Sequence, residues 1–368
     1  MINKMIFANL VRRPVRSAIS IIAIALEVAL ILLIAGLCYG ILNDDKNRTA
    51  GIGADVIVQP PGSSFLQGIS GAPVSIKVAD VLSRLPHVRV VSPVIWQIVT
   101  SGSLEVIDGI DLKSFEALGG PLQYLAGGPF TGPDSVLIDD YVARQKHLKV
   151  GDPTEILNHT FHVAGIVASG RGARKFLPIT TLQDLIGAKD KASVFYVKLD
   201  NPANADLVVK EVKQQPGMER YSVLSIGDYL SMMTPTNLPG FRPFIGVVVG
   251  VSLIIGFLVV FQSMYAAVME RTREIGILKA IGASKFYIVN AILRETGLLA
   301  LAGIIAGILV SLAASWVIRQ RFPLVQVAVT GEWIVFSMIT ALVGAAAGAL
   351  YPAYKASSKD PIEALAYE

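Results

Sequence analysis

Four runs of this chain, Ile19 to Ile41, Phe244 to Val268, Ile288 to Ile318 and Trp333 to Tyr354, are each long enough to cross a hydrocarbon core, which takes about 20 apolar residues. Lipid offers no partner to backbone N–H and C=O groups, so such runs must be helical. The third is over-long and is expected to tilt or to project beyond the bilayer. Between the first two runs lies a polar segment of roughly 200 residues, far beyond the usual connection length and therefore a domain in itself.

Composition agrees with a membrane protein carrying something soluble. Of 368 residues, 53% are hydrophobic and 16% charged, against the roughly quarter-charged mix of a soluble domain. The net charge of +4 does not imply nucleic acid, because the basic residues flank the apolar runs and no basic patch with interleaved aromatics occurs. Lys4, Arg12, Arg13 and Arg16 precede the first run, Arg271, Arg273, Lys279 and Lys285 separate the second from the third, and Lys355 and Lys359 follow the fourth. The positive-inside rule then puts both termini and the 269–287 segment in the cytoplasm. Arg319 and Arg321 lie on the other side and are outnumbered.

The expected layout is an interfacial amphipathic helix over 1–17, spans over 18–42, 244–268, 288–318 and 333–354, an external domain over 43–243, an external loop over 319–332 and a cytoplasmic tail over 355–368. Ile2, Met5, Ile6, Asn9, Leu10 and Arg13 at helical spacing carry the first of these. The first run exceeds a signal-peptide core and lacks an A-x-A exit, so it reads as an uncleaved anchor. Cys38 is the one cysteine, which excludes an internal disulfide, and Leu37 before it does not suit a lipoprotein signal.

The 43–243 segment mixes both periods. Strand-like runs fall at 54–59, 93–99, 104–110, 135–139, 161–167 and 194–199, and helical runs at 78–85, 141–147 and 203–214. The fold class is therefore α-helical membrane protein with four transmembrane helices plus an α+β extracytoplasmic domain inserted between helices 1 and 2. Residues 79–93 and 205–225 read as copies of one helix-to-strand unit, which suggests a lobe built from the two ends of the segment with a second lobe between them. Gly/Pro-rich stretches at 60–73 and 119–133 read as loops. The Gly170-Arg171-Gly172-Ala173-Arg174-Lys175 run reads as a solvated loop in preference to an anion or partner site.

The stretch ERTREIGILKAIGAS, Glu270 to Ser284, is too polar for lipid and too short for a domain. Ile275, Leu278 and Ile281 fall at helical spacing with Ile277 beside them, Glu270 and Glu274 lie toward the N-terminal end and Lys279 toward the C-terminal end, as a helix dipole favours. Gly276 permits close approach and Gly282 suits a C-terminal cap. The segment is either a docking helix for a partner or an amphipathic connector on the membrane surface. Gly246 and Gly250, Gly303 and Gly307, and Gly344 and Gly348 form G-x-x-x-G pairs suited to helix packing. Glu27, ionisable and inside the first span, is either functional or a polar contact across the bundle.

No catalytic constellation appears. His159 and His162 stand three apart on a strand-like run, which sends them to opposite faces, and no acidic third ligand adjoins them, so no metal is expected. No G-x-x-x-x-G-K-[ST] occurs, so the chain is expected to bind no nucleotide cofactor of its own in the P-loop manner.

ERTREIGILKAIGAS and the C-terminal ALYPAYKASSKDPIEALAYE resemble the FtsX-like permease module of ABC transporters, and NLVRRPVRSAIS near the N-terminus is similar to the start of the same proteins. LSRLPHVRVVSPV and VARQKHLKVGDPTEILNHTFHVAGIV resemble the MacB-type periplasmic core domain. The resemblance implies a permease that pairs with a second copy or a homologous permease. It would take one ABC ATPase subunit per protomer, with ATP and Mg held on that subunit, on the coupling residues Glu270, Arg271, Arg273, Glu274, Ile275, Gly276, Ile277, Leu278, Lys279, Ile281 and Gly282. ATP-driven movement of the external domain would export or extract an amphiphile, peptide, lipoprotein or drug, in systems with room for a periplasmic adaptor or outer-membrane channel. The alternative is an FtsX-like signal transmitter that activates an envelope partner and transports nothing.

Overall fold

The computed structural model describes residues 14–63, 72–99, 105–234, 237 and 240–358. The interfacial helix expected before residue 14 and the end of the tail lie outside these residues. In chain order the helices are α1 (Pro14–Gly51), α2 (Val78–Leu82), α3 (Leu112–Gly119), α4 (Asp140–Lys146), α5 (Ile179–Leu185), α6 (Ala205–Gln214), α7 (Ile226–Met232), α8 (Phe241–Glu270), α9 (Thr272–Ala280), α10 (Lys285–Arg321) and α11 (Gly331–Ser358). The chain divides into two units, one of residues 1–40, 240–320 and 327–368, the other of 41–239 and 321–326.

The first unit is a helical bundle of α1, α8, α10 and α11, each containing a stretch long and apolar enough to cross a membrane. Its core joins Ile24, Val28 and Leu32 of α1 to Val260 and Met264 of α8, Leu299, Ala300 and Ile304 of α10, and Ala341, Ala345 and Ala349 of α11. Small residues bring the backbones together. A Cβ on Gly303 would lie 2.7 Å from Ile24 Cβ, one on Gly307 2.7 Å from the Ala25 carbonyl, and one on Gly348 2.9 Å from the Phe257 carbonyl. Gly344 faces Leu253, whereas Gly246 and Gly250 meet nothing within 4 Å. Two of the three pairs therefore pack helices within one bundle. Large apolar side chains such as Ile22, Val247, Ile254, Ile305 and Ile339 stay exposed on the outside, as expected of helices that are apolar all round.

The second unit is an α/β domain. Its strands are β1 (Val56–Gln59), β2 (Val74–Ser75), β3 (Val88–Val99), β4 (Glu105–Ile110), β5 (Tyr124–Gly127), β6 (Ser135–Asp139), β7 (Pro153–Ile156), β8 (His159–Val167), β9 (Lys175–Pro178), β10 (Lys191–Ala192), β11 (Val194–Leu199) and β12 (Ser222–Ser225). Ten of them form one mixed sheet in the order β12-β1-β11-β3-β4-β9-β6-β8-β5, with β7 on β8. Strands from the two ends of the segment occupy one half and strands from its middle the other, but the β3–β4 pairing makes the sheet continuous. The two helix-to-strand units, α2 with β3 and α6 with β12, both belong to the first half. The 119–133 stretch, expected to be a loop, contains the edge strand β5, paired with β8.

Period-two alternation explains why this sheet is covered on both faces. Ile57, Val94, Trp96, Leu137 and Tyr196 point to a face closed by Phe115 and Leu118 of α3 and Tyr229 of α7. Their neighbours Val56, Val58, Phe195 and Val197 point the other way, against Leu82 of α2 and Val208 and Val212 of α6. Farther along, Ile95, Val136 and Ile138 meet Val142 of α4 and Leu182 of α5. Each such Val, Leu or Ile contributes about 1.5–3 kcal/mol of burial. Asp111 caps α3 through the Ser114 N–H at 3.0 Å, and Asp139 caps α4 through the Val142 N–H at 2.7 Å. Such caps are worth about 1 kcal/mol each.

Candidate docking site

The segment 270–284 is built as a short helix held from both ends. α8 stops at Glu270, and after the turn at Arg271 α9 begins, with the Thr272 hydroxyl donating back to the Met269 carbonyl at 2.9 Å. α9 ends where Gly282, at φ +102°, takes a left-handed conformation open to glycine. The Gly282 N–H donates to the Lys279 carbonyl and the Ala283 N–H to the Leu278 carbonyl, each at 3.0 Å, a Schellman closure. Glu274 stands in the first turn and Lys279 in the last, as the dipole favours.

Two side-chain ties fix the helix in its bundle. Arg271 donates Nη1 to Glu295 Oε2 at 3.0 Å and Nη2 to Glu295 Oε1 at 3.2 Å, a forked pair reaching α10. Lys279 Nζ donates to the Ser357 carbonyl at the end of α11, at 3.0 Å. Ile275 packs inward on Val268, Ile288, Ile292 and Ala356, and Gly276 is buried. The apolar row expected along Ile275, Leu278 and Ile281 is therefore divided. Ile275 faces the bundle, Leu278 is half-buried beside a cavity of about 340 Å³ between α9 and α10, and Ile281 is 80% exposed. Ile277, which also borders this cavity, and Phe286 at the start of α10 are exposed too, as are Glu270, Arg273 and Glu274.

Glu27 lies inside the bundle. Its carboxylate fills the space a Cβ on Gly256 would take, its Oε1 faces Gly344, and that oxygen has no hydrogen-bond partner among the described residues. Glu295 goes unread in the sequence, although an ionisable residue inside the third apolar run carries the same signal as Glu27.

In the α/β unit the Gly170 to Lys175 run is engaged, contrary to the solvated loop expected. Arg171 donates to the Phe115 carbonyl at 2.9 Å and lies over the Phe115 ring. Arg174 bridges Asp139 at 3.0 Å and Asp44 at 2.9 Å, and Lys175 pairs with Glu105. Arg48 completes the arrangement, pairing with Asp44 and Asp45 and donating to the Gly172 carbonyl at 2.8 Å. Beneath it Asp108 is fully buried, with one oxygen accepting from the Ala173 N–H at 3.0 Å. Burial pushes the Asp108 carboxyl up to about 7, against the pull of that N–H and of Arg48. Asp44 and Arg48 stand four apart on α1, Asp108 is far from both in sequence, and the three carry no motif.

His159 and His162 do not converge. His159 pairs with Asp134 at 2.8 Å, His162 turns toward the Gly151 carbonyl, and no cluster of three metal-ligating side chains exists among the described residues.

Residues 17–215 match the MacB-like periplasmic core domain, and residues 246–361 match the FtsX-like permease C-terminal domain. The chain is 26% identical to a macrolide export ATP-binding/permease protein MacB of a Shewanella species, over 99% of this chain and 60% of that protein. It is 32% identical to the ABC transporter permease YknZ of Bacillus subtilis, over 59% of this chain and 55% of that protein. The periplasmic region of MacB from Actinobacillus actinomycetemcomitans superimposes with a TM-score of 0.39 at 16% identity, covering 52% of this chain and 97% of that structure. The chain thus spans about 60% of the length of the first of these relatives and about 55% of the second. With one domain match across more than half of its residues and a second over residues 246–361, the chain belongs to the family of MacB-like and FtsX-like ABC transporter permeases.

Proposed function

We propose that this chain is the membrane-embedded permease of an ABC system in a bacterial inner membrane, with both termini and α9 in the cytoplasm and the α/β domain outside. A separate P-loop ATPase docks on α9, and its cycle moves the external domain to export or extract an amphiphile such as a drug, peptide or lipoprotein. The protein works as a dimer with a second permease chain. The observation that carries the reading is α9 itself. A helix of nine residues is tied to its bundle at both ends, yet it leaves Ile277 and, at its C-terminal cap, Ile281 exposed. Two exposed isoleucines on a rigid polar helix suit a protein groove. The topology draws support from Leu324, in the short 321–326 segment, which packs against the core of the α/β unit and donates its N–H to Gln145 Oε1 at 3.2 Å. The relative named for macrolide export favours transport over signalling.

Reconstitution with the partner ATPase in vesicles tests the proposal. ATP hydrolysis stimulated by an amphiphile and accompanied by its vectorial release is the expected result. Stimulation only by an envelope protein, without release, would turn the reading to the FtsX-like transmitter.

A further inference from the structure

On the side of α9 facing α10 the two helices are separated by the 340 Å³ cavity, lined by Met264, Leu278, Tyr287 and Ala291 among others. Across this gap the forked Arg271–Glu295 pair is a polar tie, its side chains only 14% and 9% exposed. Arg271 occupies the turn between α8 and α9, where φ −108°, ψ 17° leaves the helical region. A push on α9 could be absorbed by bending at this turn and closing the cavity. A planar guanidinium forked onto a carboxylate resists both, because it fixes direction as well as distance.

We propose that Arg271 and Glu295 are positioning residues which deliver displacement of α9 by the ATPase to α10. The inference rests on the docking reading above. Ile277 and Ile281 grip the partner; the ion pair passes the stroke on. Lys279, tied to α11, holds the other end of the helix.

The test uses the full permease with its ATPase in lipid nanodiscs, Cys38 replaced by alanine, and a spin label on Leu298→Cys, an exposed position on α10 close to Glu295. In the otherwise unaltered pair, ATP changes the label spectrum. Glu295→Gln and Glu295→Arg are expected to retain the ATPase on co-purification while reducing that change about fivefold. The exchange Arg271→Glu with Glu295→Arg is expected to restore it, and retention of the ATPase by the single variants separates the effect from a loss of fold. An undiminished spectral change in both single variants overturns the inference. So does loss of the ATPase from Glu295→Gln, because the pair would then be holding the docking surface. Failure of the docking reading looks different: Ile277→Asp would leave co-purification intact while the Glu295 variants could still be scored.

Discussion

Ile277 on the polar helix α9 and Ile281 at its C-terminal cap are apolar, and their exposure of 45% and 80% is what makes them testable. Ile277→Asp or Ile281→Asp should abolish co-purification with the ATPase at unchanged expression, while Ile275→Asp, which faces the bundle, should reduce the yield of folded permease. Leu278→Asp is a mixed case, since Leu278, unlike Ile277, is half-buried where it lines the cavity. Asp108 makes a different prediction. Its carboxyl at about 7 lies above the ordinary 3.8, so the native state holds the proton more tightly than the unfolded chain. The stability this contributes is present below about pH 4 and is lost as pH rises toward 7. Asp108→Asn should remove that slope and raise stability at pH 8 by about 1–4 kcal/mol, read by tryptophan fluorescence during thermal unfolding of the full chain. An unchanged pH slope would contradict the assignment. Single residues of this kind were only partly legible. Helical spacing brings out the isoleucines, whereas burial of Asp108 depends on Arg48 and Ala173 arriving from distant parts of the chain.

At the scale of elements, the glycine pairs separate by what they touch. Gly307→Leu would drive a side chain into Ala25 and Val28 of α1 and should cost about 1–3 kcal/mol, seen as a lower melting temperature in detergent. Gly250→Leu points into open space and should leave that temperature unchanged. G-x-x-x-G spacing marks helices able to approach closely, but it does not say which partner each meets. Strand positions are legible from their alternation: 135–139 and 194–199 appear as β6 and β11 because their alternating side chains enter cores on both faces. The edge strand β5 was not, since Tyr124–Gly127 is mostly exposed and carries no such pattern. The arginine clamp belongs to this scale too. Arg174→Ala removes the tie between Asp44 and Asp139 and, by leaving Asp139 buried without its guanidinium, should lower the melting temperature more than Arg144→Ala, whose pair with Asp140 is more exposed.

For the whole molecule, the family and the order of its parts follow from apolar length, flanking charge and two motifs. The substrate does not, because no compact motif marks a binding site among the described residues of the α/β unit. What the molecule does depends on whether an ATPase sits on α9. Site-specific cross-linking addresses this directly, with Cys38 replaced by alanine and a single cysteine placed either at Ile281 or at Gly331, the first residue of α11. The ATPase should be captured from Ile281→Cys, more strongly when nucleotide is bound, and not from Gly331→Cys. Capture from position 331, or none from position 281 in a preparation where the two proteins co-purify, would contradict a permease driven through this helix.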